Sequence, residues 1–174
     1  AVGKDALYSN SGGGHNVAIG FNAAYENLAS DVIAIGKQAM EANTTGTRNI
    51  AIGTQAYDHS DTENDNLAIG HQAMTVNTAG GSENIALGNY ALDALTSGDK
   101  NVAVGQNALG ANNSGGSNTS VGHNSLDANT TGSYNTAFGR DSLGTNTTAS
   151  NNTAYGYGTL QLNQTGASNT AIGV

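Results

Sequence analysis

Asn-Val-Ala-Ile-Gly at Asn16–Gly20 is the stretch on which the rest of the chain aligns. Variants recur at Asn49–Gly53, Asn66–Gly70, Asn84–Gly88, Asn101–Gly105, Asn118–Gly122, Asn135–Gly139, Asn152–Gly156 and Asn169–Gly173, with a weaker copy at Val32–Gly36. The closing glycines advance by 17 residues, apart from one step of 16 (Gly20 to Gly36) and one of 18 (Gly70 to Gly88). Self-similarity at so strict a period is the signature of stacked repeats. The chain therefore reads as a single repeat domain over residues 1–174, with turns starting at Gly3, Gly20, Gly36, Gly53, Gly70, Gly88, Gly105, Gly122, Gly139 and Gly156.

Each turn offers two short apolar pieces and two bends. The first piece is the motif, β-rich and alternating, so that neighbouring side chains face opposite ways. One face carries the bulky row Val2, Ile19, Ile35, Ile52, Ile69, Leu87, Val104, Val121, Phe138, Tyr155 and Ile172, and the other a small row led by Ala18, Ala34, Ala51 and Ala68. The structural repeat core is thus Asn16, Ala18, Ile19 and Gly20, repeated as Asn49, Ala51, Ile52 and Gly53, as Asn101, Ala103, Val104 and Gly105, and as Asn135, Ala137, Phe138 and Gly139. The motif glycine allows a corner that a Cβ would restrict.

A second piece follows, read as extended, with Ala23, Ala39, Ala56 and Ala73 beside Ala24, Met40, Tyr57 and Met74. The return bend is Asn-Thr-x-Gly, as at Asn43–Gly46, Asn77–Gly80, Asn129–Gly132 and Asn163–Gly166, where Asn and Gly tolerate left-handed backbone. Stacked turns make a parallel β-roll, an all-β solenoid of about ten turns at roughly 4.8 Å each. Its Asn rows are expected to form amide ladders. Helical repeats are excluded, because Gly and Asn recur twice per turn and leave no run long enough for a helix.

So thin a coil cannot enclose all of its apolar rows, and the remedy is to press coils together lengthwise. Spacing leaves open whether the Ile/Val row lies inside each coil with the Ala row between chains, or the reverse; close approach between Ala rows favours the first. From Thr119 onward the position before the motif alanine becomes Thr (Thr119, Thr136, Thr153, Thr170), so the last turns are expected to be wetter or hydrogen-bonded there.

The net charge is −8, and Lys4, Lys37, Arg48, Lys100 and Arg140 are scattered, so no basic stripe follows a nucleic-acid backbone. There is no cysteine, hence neither disulfide framework nor thiolate metal site, and no apolar run approaches a membrane span. Charged residues make up only 10% and Gly is abundant, a composition that would suit disorder were the apolar residues not confined to fixed rows. Both ends fall within a repeat, so the chain is expected to be a segment of a longer polypeptide.

The Asn-Val-Ala-Ile-Gly core resembles the head repeats of trimeric autotransporter adhesins of the YadA type. The fuller pattern, as in Asn129-Thr-Thr-Gly-Ser-Tyr-Asn-Thr-Ala-Phe-Gly139, is similar to repeats of phage tail fibres, and the 17-residue spacing is longer than the usual adhesin repeat. The resemblance implies a left-handed parallel β-roll, a homotrimer of side-by-side chains, an extracellular location on a virion or bacterial surface, and a structural or adhesive role that includes contact with host-surface glycan or protein.

No chemistry of another kind is expected. His71 and His123 share a repeat position but lie three turns apart, roughly 14 Å, too far for one metal. Three copies of one histidine meeting on a trimer axis could hold an ion, a lesser reading than solvent-facing bend residues, and neither metal nor cofactor is assigned. The acidic run Asp58-His59-Ser60-Asp61-Thr62-Glu63-Asn64-Asp65 lacks calcium-loop spacing and reads as a solvated bend, and its adjacent Asp58, His59 and Ser60 cannot relay a proton in line, so no enzyme is predicted. Glycosylation sequons at Asn43, Asn112, Asn118, Asn129, Asn146, Asn151 and Asn163 arise from the repeat itself. Alternatives to the fibre are an extracellular filament of end-to-end stacked subunits and, lesser, an ice-binding solenoid through the bend row Thr44, Thr78, Thr96, Thr130 and Thr147.

Overall fold

The computed structural model describes residues 1–59, 61–76 and 80–174, and these form a β-solenoid without a helix. Ten strands of three residues each follow the motif: β1 (Val17–Ile19), β2 (Ile33–Ile35), β3 (Ile50–Ile52), β4 (Leu67–Ile69), β5 (Ile85–Leu87), β6 (Val102–Val104), β7 (Thr119–Val121), β8 (Thr136–Phe138), β9 (Thr153–Tyr155) and β10 (Thr170–Ile172). They make one parallel sheet in chain order, every strand hydrogen-bonded to the same strand of the next turn. Register never slips. Ala18 pairs with Ala34 across the 16-residue step and Ala68 with Ala86 across the 18-residue step, so both length changes are absorbed in the bends.

The interior is the reverse of the arrangement that close Ala approach favoured. Ala18, Ala34, Ala51, Ala68, Ala86, Ala103, Ala137 and Ala154 are fully buried within one chain, whereas Ile19 is 43% exposed and Tyr155 54%. The reason is wall spacing. Leu92, Leu109, Leu126, Leu143, Met40, Met74 and Tyr57 all point inward from the second piece and fill the lumen. The strand wall can then contribute only a small side chain. At Ser120 the gap is bridged directly, its hydroxyl donating to the Ser125 carbonyl at 2.7 Å.

The second piece is not extended either. It is a run of turns in which the residues two and four places after the motif glycine take left-handed φ, as at Gln38 (55°) and Met40 (56°), Gln55 (56°) and Tyr57 (54°), or Asn124 (54°) and Leu126 (51°). A third such residue precedes the motif asparagine, as at Arg48 (59°) and Lys100 (59°). Left-handed backbone is costly for any residue with a Cβ and worst for β-branched ones. Accordingly none of the three columns contains Val, Ile or Thr, although these residues crowd the strands. Ladder bonds to both neighbouring turns hold the conformation: Met40 N–H donates to the Ala56 carbonyl and Gln38 N–H to the Phe21 carbonyl.

Two kinds of glycine are needed for different reasons. Gly122 has φ of 139°, and a Cβ there would lie 2.5 Å from the Gly139 carbonyl oxygen of the next turn. The bend glycines Gly46, Gly98, Gly115 and Gly132 do not have positive φ; a Cβ on each would instead collide with a backbone oxygen of the following turn. The expectation of left-handed bend glycines is corrected at these positions: what they supply is room for close stacking.

The asparagines form the two ladders expected of them. In the motif ladder Asn118 Oδ1 accepts from the Asn135 backbone N–H (2.9 Å) and from its side-chain amide (3.2 Å), while Asn118 Nδ2 donates to the Gly132 carbonyl at 2.8 Å. The same pattern joins Asn84, Asn101 and Asn118. Val32 interrupts it: only its backbone N–H reaches Asn16 Oδ1, at 3.1 Å. The bend ladder joins Asn112, Asn129 and Asn146 by amide bonds of 2.9 and 3.0 Å. The bend Asn77–Ala79 lies outside the described residues.

Candidate functional site

With Ala and Leu spent on the interior, the larger strand side chains stand on the outward side of the sheet. Two side chains per strand stand on it, and parallel registration arranges them in two columns. The first runs Val17, Ile33, Ile50, Leu67, Ile85 and Val102, then Thr119, Thr136, Thr153 and Thr170; the second runs from Ile19 to Val121, then Phe138, Tyr155 and Ile172. All are half-buried or exposed in the single chain. The rings of Phe138 and Tyr155 stack on each other with centroids 4.9 Å apart. Thr136, Thr153 and Thr170 are exposed and Thr119 is half-buried, while Val17 and Ile85 of the same column are exposed as well. A flat apolar surface of this continuity is the kind that marks an interaction site.

The sixteen repeat-core residues separate into four roles. Ala18, Ala51, Ala103 and Ala137 face the lumen, while Ile19, Ile52, Val104 and Phe138 face outward. Asn16, Asn49, Asn101 and Asn135 join the ladder, and Gly20, Gly53, Gly105 and Gly139 turn the corner at φ between 131° and 138°.

The histidines are dispersed. His15 Nδ1 is 3.2 Å from Asp31 Oδ1, and His71 packs edge-on against Tyr90. No group of three potential metal ligands occurs among the described residues. The acidic run is more ordered than a solvated bend. Glu63, standing where other bends have glycine, is buried and accepts from the N–H groups of Asp61 (3.0 Å), Thr62 (3.1 Å) and Gly80 (3.1 Å). Its neighbour turn holds the inserted Gly80-Gly81, so the larger side chain and the longer bend accommodate each other. Asp61 accepts from the Thr44 hydroxyl, and Asp65 takes Arg48 through both carboxylate oxygens at 2.6 and 2.8 Å. That contact holds the Asp65 carboxyl below its ordinary range and raises the Arg48 guanidinium. Asp58 is buried, and desolvation pushes its carboxyl upward, partly offset by His59. Ser60 lies outside the described residues.

Desolvation also raises Asp93 and Asp127, which flank Gly110; the charge of Asp127 adds to the shift at Asp93, and Asp141 to that at Asp127. The bend threonines have internal work. Thr96, Thr130 and Thr147 donate their hydroxyls to the carbonyls of Asn113, Thr147 and Gln164 one turn on, which removes them from the regular outward array that ice recognition would need; Thr78 is outside the described residues. Of the sequons, Asn43, Asn112, Asn118, Asn129 and Asn146 are buried in the ladders, while Asn151 is exposed.

Fold and surface together define the chain as a β-solenoid with one unpartnered apolar sheet face. No protein-family model, curated protein or solved structure matches it.

What sequence reasoning missed are the three left-handed columns and the sidedness of the sheet. Both left a signal. The absence of β-branched residues from three columns marks positive φ. A row that accepts everything from Val to Tyr, beside one that accepts only Ala or Ser, is the row with free space in front of it.

Proposed function

We propose that the chain is a rigid structural and adhesive segment of an extracellular trimeric fibre, a phage tail fibre or a bacterial surface adhesin head, that presents or contributes to host-surface binding without enzymatic activity. The observation that supports it is the apolar strand face, which runs the length of the solenoid and which the chain cannot cover itself. Lateral association of like chains would remove it from water at every turn, while ladder bonds stiffen each chain along its axis. Three is the chain number that the resemblance to adhesin heads supplies. The bends, polar and facing away from the sheet, are then the surface left to meet glycan or protein on a host.

Sedimentation velocity at micromolar concentration tests the reading. A discrete oligomer of elongated shape is expected; a stable folded monomer overturns it. Electron microscopy separates discrete rods from the indefinite fibres of end-to-end stacking.

A further inference from the structure

Three walls enclose the lumen: the strands, the second piece and the bends. In a regular bend the two N–H groups after the bend-asparagine position donate to a carbonyl one turn on. Asn113 and Ser114 donate to Thr130 (2.9 and 3.1 Å), Thr96 and Ser97 to Asn113 (2.8 and 3.1 Å), and Thr44, Thr45 and Gly46 to Asp61 (3.0, 3.0 and 3.2 Å). Asp61 and Thr62 occupy the same two places in the turn from Gly53 but turn back on their own bend, donating to Glu63 Oε2 at 3.0 and 3.1 Å. Glu63 Oε1 accepts from the Gly80 N–H at 3.1 Å. Among the described residues, this is the one hydrogen bond by which residues 61–63 reach the following turn.

We propose that the bend at 61–63 is a seam in the rod: the solenoid opens there toward the following turn ahead of its regular bends, with Glu63 as the clip that closes it and the strand wall as the hinge. The seam lies within one chain and stands whether or not chains associate.

The side-chain ladders thin out around the same level. Asn43 Nδ2 reaches back to Asn27 Oδ1, but the buried Asn43 Oδ1 has no partner among the described residues, whereas Asn112 Oδ1 and Asn129 Oδ1 each accept from the asparagine one turn on. Leu95 stands in the last place of that column before Asn112. At the motif corner Asn66 Nδ2 is drawn to the Tyr57 hydroxyl at 2.7 Å, so Asn49 Oδ1 keeps only the Asn66 backbone N–H, at 2.9 Å. The other two walls are unbroken. Strands β3, β4 and β5 hold register through Ala51, Ala68 and Ala86, and in the second piece the Tyr57 N–H donates to Ala73 at 2.9 Å and the His59 N–H to Thr75 at 3.0 Å.

Where a structure opens first follows from what must break at each place. Parting the bend at 113–114 from the next turn breaks two backbone hydrogen bonds and the Asn129–Asn112 amide bond. Parting the bend at 61–63 breaks only the Gly80 contact, because Asp61 and Thr62 keep their acceptor when the gap widens. Apolar burial adds nothing to hold it, since Asp61 and Thr62 are exposed and Glu63 is polar. Opening the strand wall would instead uncover the buried alanines, which fixes the side on which the rod yields.

Amide hydrogen exchange of the intact chain, read residue by residue as protection factors, tests the seam. The Asp61 and Thr62 amides are expected to be at least about tenfold less protected than those of Asn113, Ser114 and Thr130. Ile50 and Leu67 in β3 and β4 should match Val102 and Thr119 in β6 and β7 within about threefold. Equal protection at the two bends overturns the proposal, and so does low protection in β3 and β4, which would mean that whole turns unfold. Glu63→Ala removes the clip and is expected to lower protection at Gly80, Asp61 and Thr62 by about a further tenfold with β3 and β4 unchanged. Glu63→Gln, which keeps one acceptor oxygen, should fall between the two. An unchanged Gly80 amide in Glu63→Ala overturns the role of Glu63. Should that variant misfold, the comparison of bends within the natural chain decides. Glu63→Gly combined with deletion of Gly80 restores a regular bend and is expected to bring residues 61 and 62 within about threefold of 113 and 114; a folded variant without that gain overturns the seam.

Discussion

In the turns of β1 to β6 both outward strand positions are Val, Ile or Leu, whereas from β7 to β10 the first is always Thr and the second includes Phe138 and Tyr155. The bends differ in the opposite sense. In the earlier turns Val32 breaks the motif ladder, Leu95 takes the place of a bend asparagine, Glu63 takes the place of a bend glycine, and Gly80-Gly81 adds a residue. From Asn112 onward the bend ladder continues through Asn129 and Asn146. The inward strand column is Ala in both halves, apart from Ser120. The earlier turns therefore offer more apolar area sideways and less regular bonding along the axis, and the later turns the converse. The sideways-facing apolar columns and the axial ladders are different columns and can drift independently.

The largest effects should be those that ignore this division, because the lumen is common to both halves. Gly88→Ala and Gly122→Ala each force a Cβ to 2.5 Å from the next turn's carbonyl oxygen at φ near 140°. Each is expected to cost about 3–5 kcal/mol by denaturant titration. Gly14→Ala, with open space around it, should stay within about 0.5 kcal/mol. Tolerance of alanine at one corner and not the other would break the claim of a shared interior.

Ladder substitutions come next and should separate the halves. Asn118→Ala removes an acceptor used by both the N–H and the amide of Asn135, and is expected to cost about 2–4 kcal/mol. Asn16→Ala, whose Oδ1 serves only the Val32 N–H, should cost about 1 kcal/mol. Equal losses would mean that the interruption at Val32 has no energetic consequence.

On the strand face, Ile52→Asp is expected to leave the circular dichroism of the chain intact, because the side chain projects out of the coil. It should weaken lateral association at least about tenfold in sedimentation. Thr136→Val, in the wetter half, should strengthen it severalfold; a loss of folding in Ile52→Asp would show that the row is needed inside the chain.

The smallest effect concerns pH. Burial raises the Asp127 carboxyl above its unfolded value, with Asp141 adding to the shift and His123 opposing it. The folded state thus holds that proton more tightly, and stability falls as pH rises from the unfolded carboxylate range through the raised one. Asp127→Asn is therefore expected to raise Tm slightly at neutral pH and to leave it unchanged below about pH 3.5, where both states are protonated. A Tm gain that persists at low pH would assign the effect to packing.

Most of the fold was legible in the repeat, since a glycine every 17 residues and an asparagine four places before it leave few architectures open. The candidate face was legible as a pair of columns, but its direction was not. Alternation says that Ala18 and Ile19 point opposite ways and says nothing about which way is in. Hydrophobicity alone favours the larger residue inside. Tyr57 was visible as a member of the second apolar piece, while its left-handed backbone was hidden by a preference for reading any apolar piece of this length as a strand.

By itself, then, the sequence determined the period, the parallel register, the corner glycines and the asparagine ladders, because each is a local requirement repeated until it cannot be accidental. The tertiary structure alone decided that the lumen belongs to alanine and leucine and the outside to isoleucine and valine. That choice depends on the distance between two walls of the same turn, which no single wall encodes: once the left-handed turns send Leu, Met and Tyr inward, only a methyl or a hydroxymethyl fits opposite.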